Sequence, residues 1–457
     1  NYSSLGGSAA KSTGSTNAPA DLTIKKLELK DGSIIVGSTN SQKRSTYDHV
    51  AVTATGVAIT SQFPVTVTAD LPSGGKFKLD GIVGPIDQAD TALTPLTAKL
   101  NVSSLNLAST GFLDPSMGLG GLLDLDGTLE SKGGEAEIKG NVKLSNALLV
   151  AGGAPAGVPV IVDFNTKYNL RKNAGVLNPS TLKIGSAAAR LNGTYQSAGE
   201  ATVANIKLSA KDMPAKDLEA FLPALGIHLP KGASLSAGTL NTDLTLAGPM
   251  SKMVTTGTVG LFNGVIANFD LGSKMSSVAS LAGIKSGKDL NIEKFTSNLR
   301  VAPDGIKADN VLAVLPTIGN LTGAGTVDSK NALDFKMLAT LTKQASSAAG
   351  SAGAVANGAA GALGGLLGTV TGGGGAGGVG GCTSSSGGLK VPFQIQGTTS
   401  DPKFIPDIGG LAKDLFKSEL GCLGGRSTAS IAKVPGQGQN PADAINALGG
   451  LFKKKKP

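Results

Sequence analysis

The chain has 457 residues, of which 66 are Gly and only 16% are charged, and it contains no Trp and 4 Tyr. This length admits two or three compact domains or one elongated domain. The net charge of +9 is spread thinly apart from the lysine run at 453–456. Nucleic-acid binding requires clustered Lys and Arg and usually aromatic side chains for stacking, so the composition argues against a nucleic-acid partner.

The N-terminal region has a composition of its own. Residues 1–20 are rich in Ser, Gly, Ala and Thr and lack the charged-then-apolar pattern of a signal peptide. We expect them to form a linker or a disordered segment. Since the chain begins with Asn1, we expect a fragment or a processed form of a longer protein.

Apolar and polar residues alternate with a period of two from about residue 21 to residue 343. In residues 63–71 every odd position is apolar and most even positions are Thr or Asp, which is the pattern of a strand with one wet and one apolar face. Short Gly, Pro, Asn and Asp clusters such as 71–75 and 302–305 separate these segments and indicate hairpin turns. The sequence therefore predicts a mainly β protein with a meandering antiparallel sheet.

A short phrase recurs in this region: an apolar residue, any residue, then Gly. It occurs at Gly81, Gly127, Gly140, Gly193, Gly248, Gly323 and Gly397, with spacings between 13 and 75 residues. Such irregular spacing argues against a solenoid with coils of fixed length. We expect each phrase to begin a new strand in a sheet built from successive hairpins.

Three segments have helical periodicity. Residues 213–225 place Leu218, Phe221, Leu222 and Leu225 on one face, with Asp212 as the expected N-cap. Residues 274–284 and 408–420 have a similar pattern. We expect short amphipathic helices that cover an end of the sheet.

A Gly/Ala/Ser-rich segment without charged residues occupies residues 344–389. We expect a flexible or loosely helical insertion, because Gly and Ala contribute little transfer free energy. The alternative is a membrane span, which the length of the segment would permit. The final strand and helix are expected at 390–425 and a flexible basic tail at 426–457. Its lysines follow Leu451 and Phe452 and are expected to contact an anionic membrane or to remain solvated.

Residues typical of catalysis or metal binding are scarce. His49 and His228 are far apart in sequence and neither has a second ligand at a metal-binding interval. The acidic pairs Asp124/Asp126 and Glu135/Glu137 fit a solvated strand face better than acid/base chemistry. We predict a non-enzymatic protein with no cofactor and no metal.

The two cysteines, Cys382 and Cys422, are candidates for a disulfide. No other Cys and no His lies near them in sequence, so a disulfide suits them better than a metal site. Two free buried thiols are the alternative. A disulfide would require an oxidising compartment.

The predicted strands share a continuous aliphatic face, which must be shielded from water either by other parts of the protein or by a ligand. A sandwich or a closed barrel would bury it, whereas an open, curled trough would leave it free for lipid tails. We expect the trough, an elongated groove, and its candidate lining residues are Val65, Val67, Leu100, Val102, Val160, Val162, Phe164, Leu244 and Leu246.

Several segments are similar to the C-terminal domain of the AsmA family. They are residues 81–87, 105–112, 225–227, 271–275, 281–285, 300–306, 321–327 and, with the most specific phrase, 391–404. The resemblance covers roughly residues 20–341 and 390–420. It implies a periplasmic protein with a repeating-β groove, anchored in the inner membrane by an N-terminal helix that this sequence does not contain.

The partners that the resemblance implies are phospholipids and the inner and outer membranes, between which the groove would conduct lipid in support of outer-membrane biogenesis. The alternative function is a structural or adhesin-like β scaffold of the cell envelope that binds no ligand. The sequence indicates neither the lipid selectivity nor the oligomeric state.

Overall fold

The computed structural model describes residues 23–37, 44–111, 113, 118–198, 201–271, 287–341 and 390–407. The chain divides into two units, and all of these residues belong to the one made of Asn1–Gly377 and Ser385–Asp407. Most of them are in strands, as the alternation predicts. The expected insertion at 344–389, the tail at 426–457, the helices at 274–284 and 408–420 and both cysteines lie outside the described residues.

Among the described residues, nineteen strands form a single sheet. Those of the N-terminal half are β1 Thr23–Gly37, β2 Arg44–Ala58, β3 Phe63–Asp70, β4 Lys76–Val83, β5 Leu96–Asn106, β6 Gly120–Lys132, β7 Glu135–Leu148, β8 Val160–Asn169, β9 Ala174–Ile184 and β10 Ala187–Ala198. Those of the C-terminal half are β11 Ala201–Pro214, β12 Ser234–Pro249, β13 Val254–Ala267, β14 Leu290–Ala302, β15 Gly305–Leu315, β16 Gly319–Asp328, β17 Leu333–Leu341, β18 Lys390–Gly397 and β19 Pro402–Pro406.

Every strand pairs antiparallel with the next strand in the chain, from β1 with β2 to β18 with β19. The sheet is therefore a meander, and it is open because β1 and β19 are its two edges. The expected antiparallel, open sheet is confirmed. No second sheet lies over it among the described residues.

Bulges recur near one end of the strands, the end at which β1 finishes and β2 begins, called here the bulged end. In the strands that the structure describes, seven residues other than Gly have positive φ, and six of them lie in the half of their strand nearest this end: Asp31, His49, Ser104, Asn146, Asp212 and Asn263. Asp, Asn, Ser and His tolerate this conformation better than β-branched residues do. A bulge bends its strand and increases the local twist, and these positive-φ residues are concentrated toward one end of the strands.

The best-buried residues also cluster at the bulged end. The connection between β7 and β8 and the segment after β11 cover it, and both are joined by backbone hydrogen bonds from Ala154 N to Pro223 O and from Gly157 N to Ala220 O, 2.9 and 2.8 Å. Ala147 and Ala224, one from each side of this contact, are fully buried. Nearer the C-terminal edge lies the cluster with the most buried residues, which includes Phe393 at 1% exposure.

Of the three predicted helices, only the one at residues 213–225 lies within the described residues, and it is shorter than the periodicity predicts. Residues 213–225 contain only one turn of α-helix, α1 Ala215–Glu219, and a 3₁₀ turn at Leu222–Leu225. Asp212 is not the N-cap, because it belongs to β11, has φ 54° and donates its backbone N–H to Asn241 Oδ1. Pro214 occupies the N-cap position instead, without a side-chain cap. Further 3₁₀ turns lie at Thr91–Leu93, Leu107–Ser109 and Met250–Lys252.

The recurring glycines lie inside or at the end of strands and do not begin them, so that expectation was wrong. Gly81, Gly127 and Gly140, for example, fall within β4, β6 and β7. A Cβ on Gly81 would lie 2.6 Å from the carbonyl oxygen of Thr97 in β5, and one on Gly127 would lie 2.9 Å from that of Lys139 in β7. The phrase therefore marks places where two backbones approach more closely than a side chain permits.

Candidate functional site: an uncovered aliphatic face

The two faces of the sheet carry different kinds of side chain, as the pairing of the strands shows. On one face Asp80 lies opposite Lys99, Lys99 opposite Thr128, and Thr128 opposite Lys139. This is the polar face. The neighbouring residue of each strand points to the other face, where Gly81 lies opposite Ala98 and Ala98 opposite Leu129.

One row of residues crosses the second face from β1 to β17 without a break, each member directly opposite the next. This aliphatic row contains no charged residue, and its only polar members are two threonines. In order it consists of Leu27, Ala54, Val65, Gly81, Ala98, Leu129, Ile138, Thr166, Leu177, Gly193, Ile206, Leu246, Thr255, Val301, Ile306, Val327 and Leu333.

The row is mostly half-buried, although near its start Leu27 is 51% exposed and Ala54 and Ala98 are only 3% and 4% exposed. From Leu129 to Leu333 every member is half-buried. Strand neighbours on the polar face, such as Thr128, Asn205 and Thr256, are exposed. Because no second sheet of the described residues lies over this face, apolar surface stays accessible over many consecutive strands.

All nine predicted lining residues lie on this face. Val65 and Leu246 belong to the aliphatic row itself. The adjacent row runs from Val67 through Leu79, Leu100, Gly127 and Gly140 to Phe164, so it contains three of the predicted residues. Leu244 lies two residues before Leu246 on the same face and is opposite Leu208 and Gly257. Val102, Val160 and Val162 lie closer to the bulged end, where Val160 is 7% exposed and packs beneath the covering segments.

Sequence reasoning missed most of the row. Leu129, Ile138, Leu177, Ile206, Val301, Ile306, Val327 and Leu333 all lie in it. Each stands in an alternating segment, so the signal for an apolar face was present. Their alignment into one row depends on the pairing of strands, which alternation within a strand does not specify.

The polar face is joined by cross-strand contacts between short side chains. Asn101 Nδ2 donates to Asp126 Oδ1 and Asn141 Nδ2 to Asp163 Oδ1, both at 2.6 Å. Asn141, with a further contribution from Lys183, lowers the pKa of Asp163 below its usual value. These groups are exposed, so they keep the face solvated and contribute little to stability.

Aromatic and loop residues line the opposite end of the strands. Tyr168 and Tyr195 stack with ring centroids 5.9 Å apart, and the Tyr195 hydroxyl hydrogen-bonds to the Thr166 hydroxyl at 2.7 Å. The loop at residues 84–95 reaches the turn between β8 and β9, where Arg171 Nη2 donates to Asp90 Oδ2 at 2.9 Å. The Arg171 guanidinium and the Ala92 backbone N–H lower the pKa of Asp90.

The histidines lie on surface features. His49 is 71% exposed in its side chain, at a bulge of β2, with Nδ1 3.2 Å from Asp70 Oδ2 and Nε2 3.8 Å from Asp31 Oδ1. His228 Nδ1 lies 3.2 Å from the Gly226 carbonyl oxygen. Within the described ranges, no three His, Cys, Asp or Glu side chains are grouped so as to hold a metal ion.

Comparisons with protein-family models, with curated proteins and with solved structures gave no match for this chain. Among the residues that the structure describes, no helix is long and apolar enough to cross a bilayer.

Proposed function

We propose that the chain is a non-enzymatic envelope protein that holds the acyl chains of phospholipids on its aliphatic face and conducts them between the inner and outer membranes. The observation that carries this proposal is the aliphatic row, which crosses 17 strands with no charged member and no covering sheet among the described residues. The resemblance to the AsmA family supports the periplasmic setting and anchoring in the inner membrane.

The length of the row suits this role. With strands about 4.8 Å apart, the row follows the sheet for roughly 75 Å, while one leaflet of a bilayer contributes roughly 15 Å of hydrocarbon. Several lipids could therefore lie side by side along the face. A continuous path matters because a lipid moving along it never has to expose its tails to water.

The energetics favour passive exchange. Each methylene removed from water is worth about 0.8 kcal/mol, in the bilayer and on the protein alike. Most of the free energy of burial is retained when an acyl chain moves from the bilayer to the protein. The free energy of this transfer is therefore close to zero. A half-buried aliphatic surface provides such an environment without any specific polar contact.

The composition of the row favours hydrocarbon over a protein partner as its occupant. Protein interfaces depend on buried Trp, Tyr and Arg anchors surrounded by a polar rim. The row itself has no aromatic and no charged member, and its side chains are Leu, Ile, Val, Ala, Gly and Thr, whereas the aromatic residues of this face, Phe164, Tyr168 and Tyr195, lie beside it. Such residues suit a mobile chain that must slide and has no fixed orientation.

A pair of adjacent residues provides a sharp test. Ile206 belongs to the row, and Asn205 precedes it on the polar face of β11. A photoreactive benzoylphenylalanine at each position, introduced into cells separately, should crosslink to phospholipid at 206 and not at 205. Mass spectrometry of the crosslinked species identifies the lipid.

A second measurement addresses transport. We expect Ile206→Asp to reduce the transfer of a fluorescent phospholipid between vesicles at least tenfold, because contact between a carboxylate and acyl chains is energetically costly. Asn205→Asp should transfer normally. Equal crosslinking at both positions, or a purified chain that retains no phospholipid, would favour the ligand-free scaffold instead.

A further inference from the structure

The edge strand β1 is long, and one of its two sides has no partner among the described strands. It is 15 residues long and pairs only with β2 among the described strands. Five of the twelve exposed large apolar side chains of the described residues lie on it, including Leu27 at 51%, Leu29 at 50% and Ile35 at 67%. An edge strand with free backbone groups and exposed apolar side chains is a template for pairing with another strand.

The other edge is protected against such pairing. β19 has only five residues, and Pro402 and Pro406 stand at its two ends. Proline has no N–H to donate, and short strands offer few partners. The two edges therefore differ in a way that directs any association to β1.

The charges of β1 are arranged so that the strand complements itself. Glu28 lies between Lys26 and Lys30 on the polar face, with Nζ–Oε distances of 3.0 and 3.2 Å. Consider two copies paired antiparallel about a two-fold axis through Leu27. Lys26 of each copy then lies opposite Glu28 of the other, and Lys25 lies opposite Leu29. An axis through Glu28 would instead place Glu28 opposite Glu28 and Lys26 opposite Lys30, which is unfavourable.

The bulge excludes the remaining charge-matched register. An axis through Leu29 would place Glu28 opposite Lys30, but it would require the paired segment to continue past Asp31, whose φ is 56°. The axis through Leu27 can use Ile24–Lys30 alone, which ends before the positive-φ residue Asp31.

From these observations we infer that two copies of the chain associate through β1, antiparallel and centred on Leu27. Because directly opposite residues of an antiparallel pair share a face, the aliphatic face of one copy continues into that of the other. Leu27, the first member of the aliphatic row, then lies opposite Leu27 of the second copy, which joins the two rows. This association does not depend on lipid binding.

The first test is crosslinking of the full chain in a Cys382→Ser, Cys422→Ser background. A cysteine on the two-fold axis faces its own copy, so Leu27→Cys should form a disulfide-linked dimer under mild oxidation. Ile35→Cys is the matched control, since it is more exposed and lies beyond the paired segment. We expect at least tenfold more dimer for Leu27→Cys, and equal yields would overturn the inference.

The second test uses charge reversal and sedimentation at up to about 300 μM protein, because an interface of one strand pair belongs in the micromolar range. Lys26→Glu alone and Glu28→Lys alone should each sediment as monomers, whereas their mixture should recover the dimer. A dimer that survives Lys26→Glu would indicate another register. A wild-type chain that is monomeric at every concentration would contradict the inference. This includes the case in which its own residues 1–22 occupy the edge of β1.

Discussion

Tyr168 of β8 and Tyr195 of β10 stack across the strand between them, with their rings only 14° from parallel. Both lie directly opposite Gly175 of β9. The two rings meet because Gly175 has no side chain to hold them apart. A glycine in the middle strand and an aromatic residue on each side thus form one unit on the aliphatic face.

Replacing Gly175 tests this unit. A Cβ at this position would overlap the ring of Tyr195. We expect Gly175→Ala to lower the free energy of unfolding by about 1–3 kcal/mol, the usual cost of overpacking, and to weaken the near-ultraviolet circular dichroism of the tyrosines. Gly120→Ala is the control, because its nearest contact would be 3.6 Å, an ordinary separation. Equal stability of the two variants would contradict the proposed role of the glycine.

The loop at residues 84–95 should depend on Arg171. The ion pair with Asp90 is exposed, with side chains 61% and 36% accessible, so we expect Arg171→Ala to change the global stability by less than about 1 kcal/mol. Amide exchange within residues 84–95 should nevertheless accelerate severalfold, since this contact ties the loop to the turn between β8 and β9. Lys172→Ala removes a neighbouring charge without this contact and serves as the control. Unchanged exchange in Arg171→Ala would show that other contacts position the loop.

Asp217 should make the attachment of α1 sensitive to acid. Its Oδ2 accepts from the Ser186 hydroxyl and from the Ser186 backbone N–H, and these two contacts lower the pKa of the carboxyl group. A carboxylate whose pKa is depressed in the folded state stabilises it above the ordinary value, about 4, and loses this contribution as the pH falls through the folded value. Between about pH 5 and pH 2, the melting temperature of the wild type should therefore fall more steeply than that of Asp217→Asn. Parallel curves would contradict this assignment.

The cluster around Phe393 should contribute most to the stability of the C-terminal part of the sheet. Phe393 is 1% exposed and lies opposite Met337 and Pro406. We expect Phe393→Ala to cost about 3–5 kcal/mol in the free energy of unfolding of this region. Ile405→Ala on the neighbouring strand, where Ile405 is 42% exposed, should cost less than about 1 kcal/mol. Chemical denaturation of both variants provides the comparison.

The alternation of apolar and polar residues predicted most of the strands and their two faces. Residues 63–71 were predicted as a strand with one apolar face, and β3 covers Phe63–Asp70 with Val65 and Val67 on that face. Such predictions succeed because alternate side chains of any strand point to opposite sides, whatever its neighbours are. The antiparallel meander followed from the short turns between these segments.

The helix at residues 213–225 shows where local pattern is insufficient. Its apolar spacing is helical, yet Met213 pairs with Leu240 as part of β11, and only one turn of α-helix remains. Met213 and Pro214 lie opposite Leu240 and Thr239 of β12, and this strand pairing overrides a weak helical preference.

Strands with one aliphatic and one polar side could be predicted from the sequence, because that property depends only on the order of residues within each strand. The pairing of strands places Ile206, Leu246 and the other members of the row opposite one another, puts positive-φ residues such as Asp31 and Asp212 near one end of the strands, and leaves β1 as an edge of the sheet. These features arise from pairing between segments and from close backbone approach, which no single segment encodes.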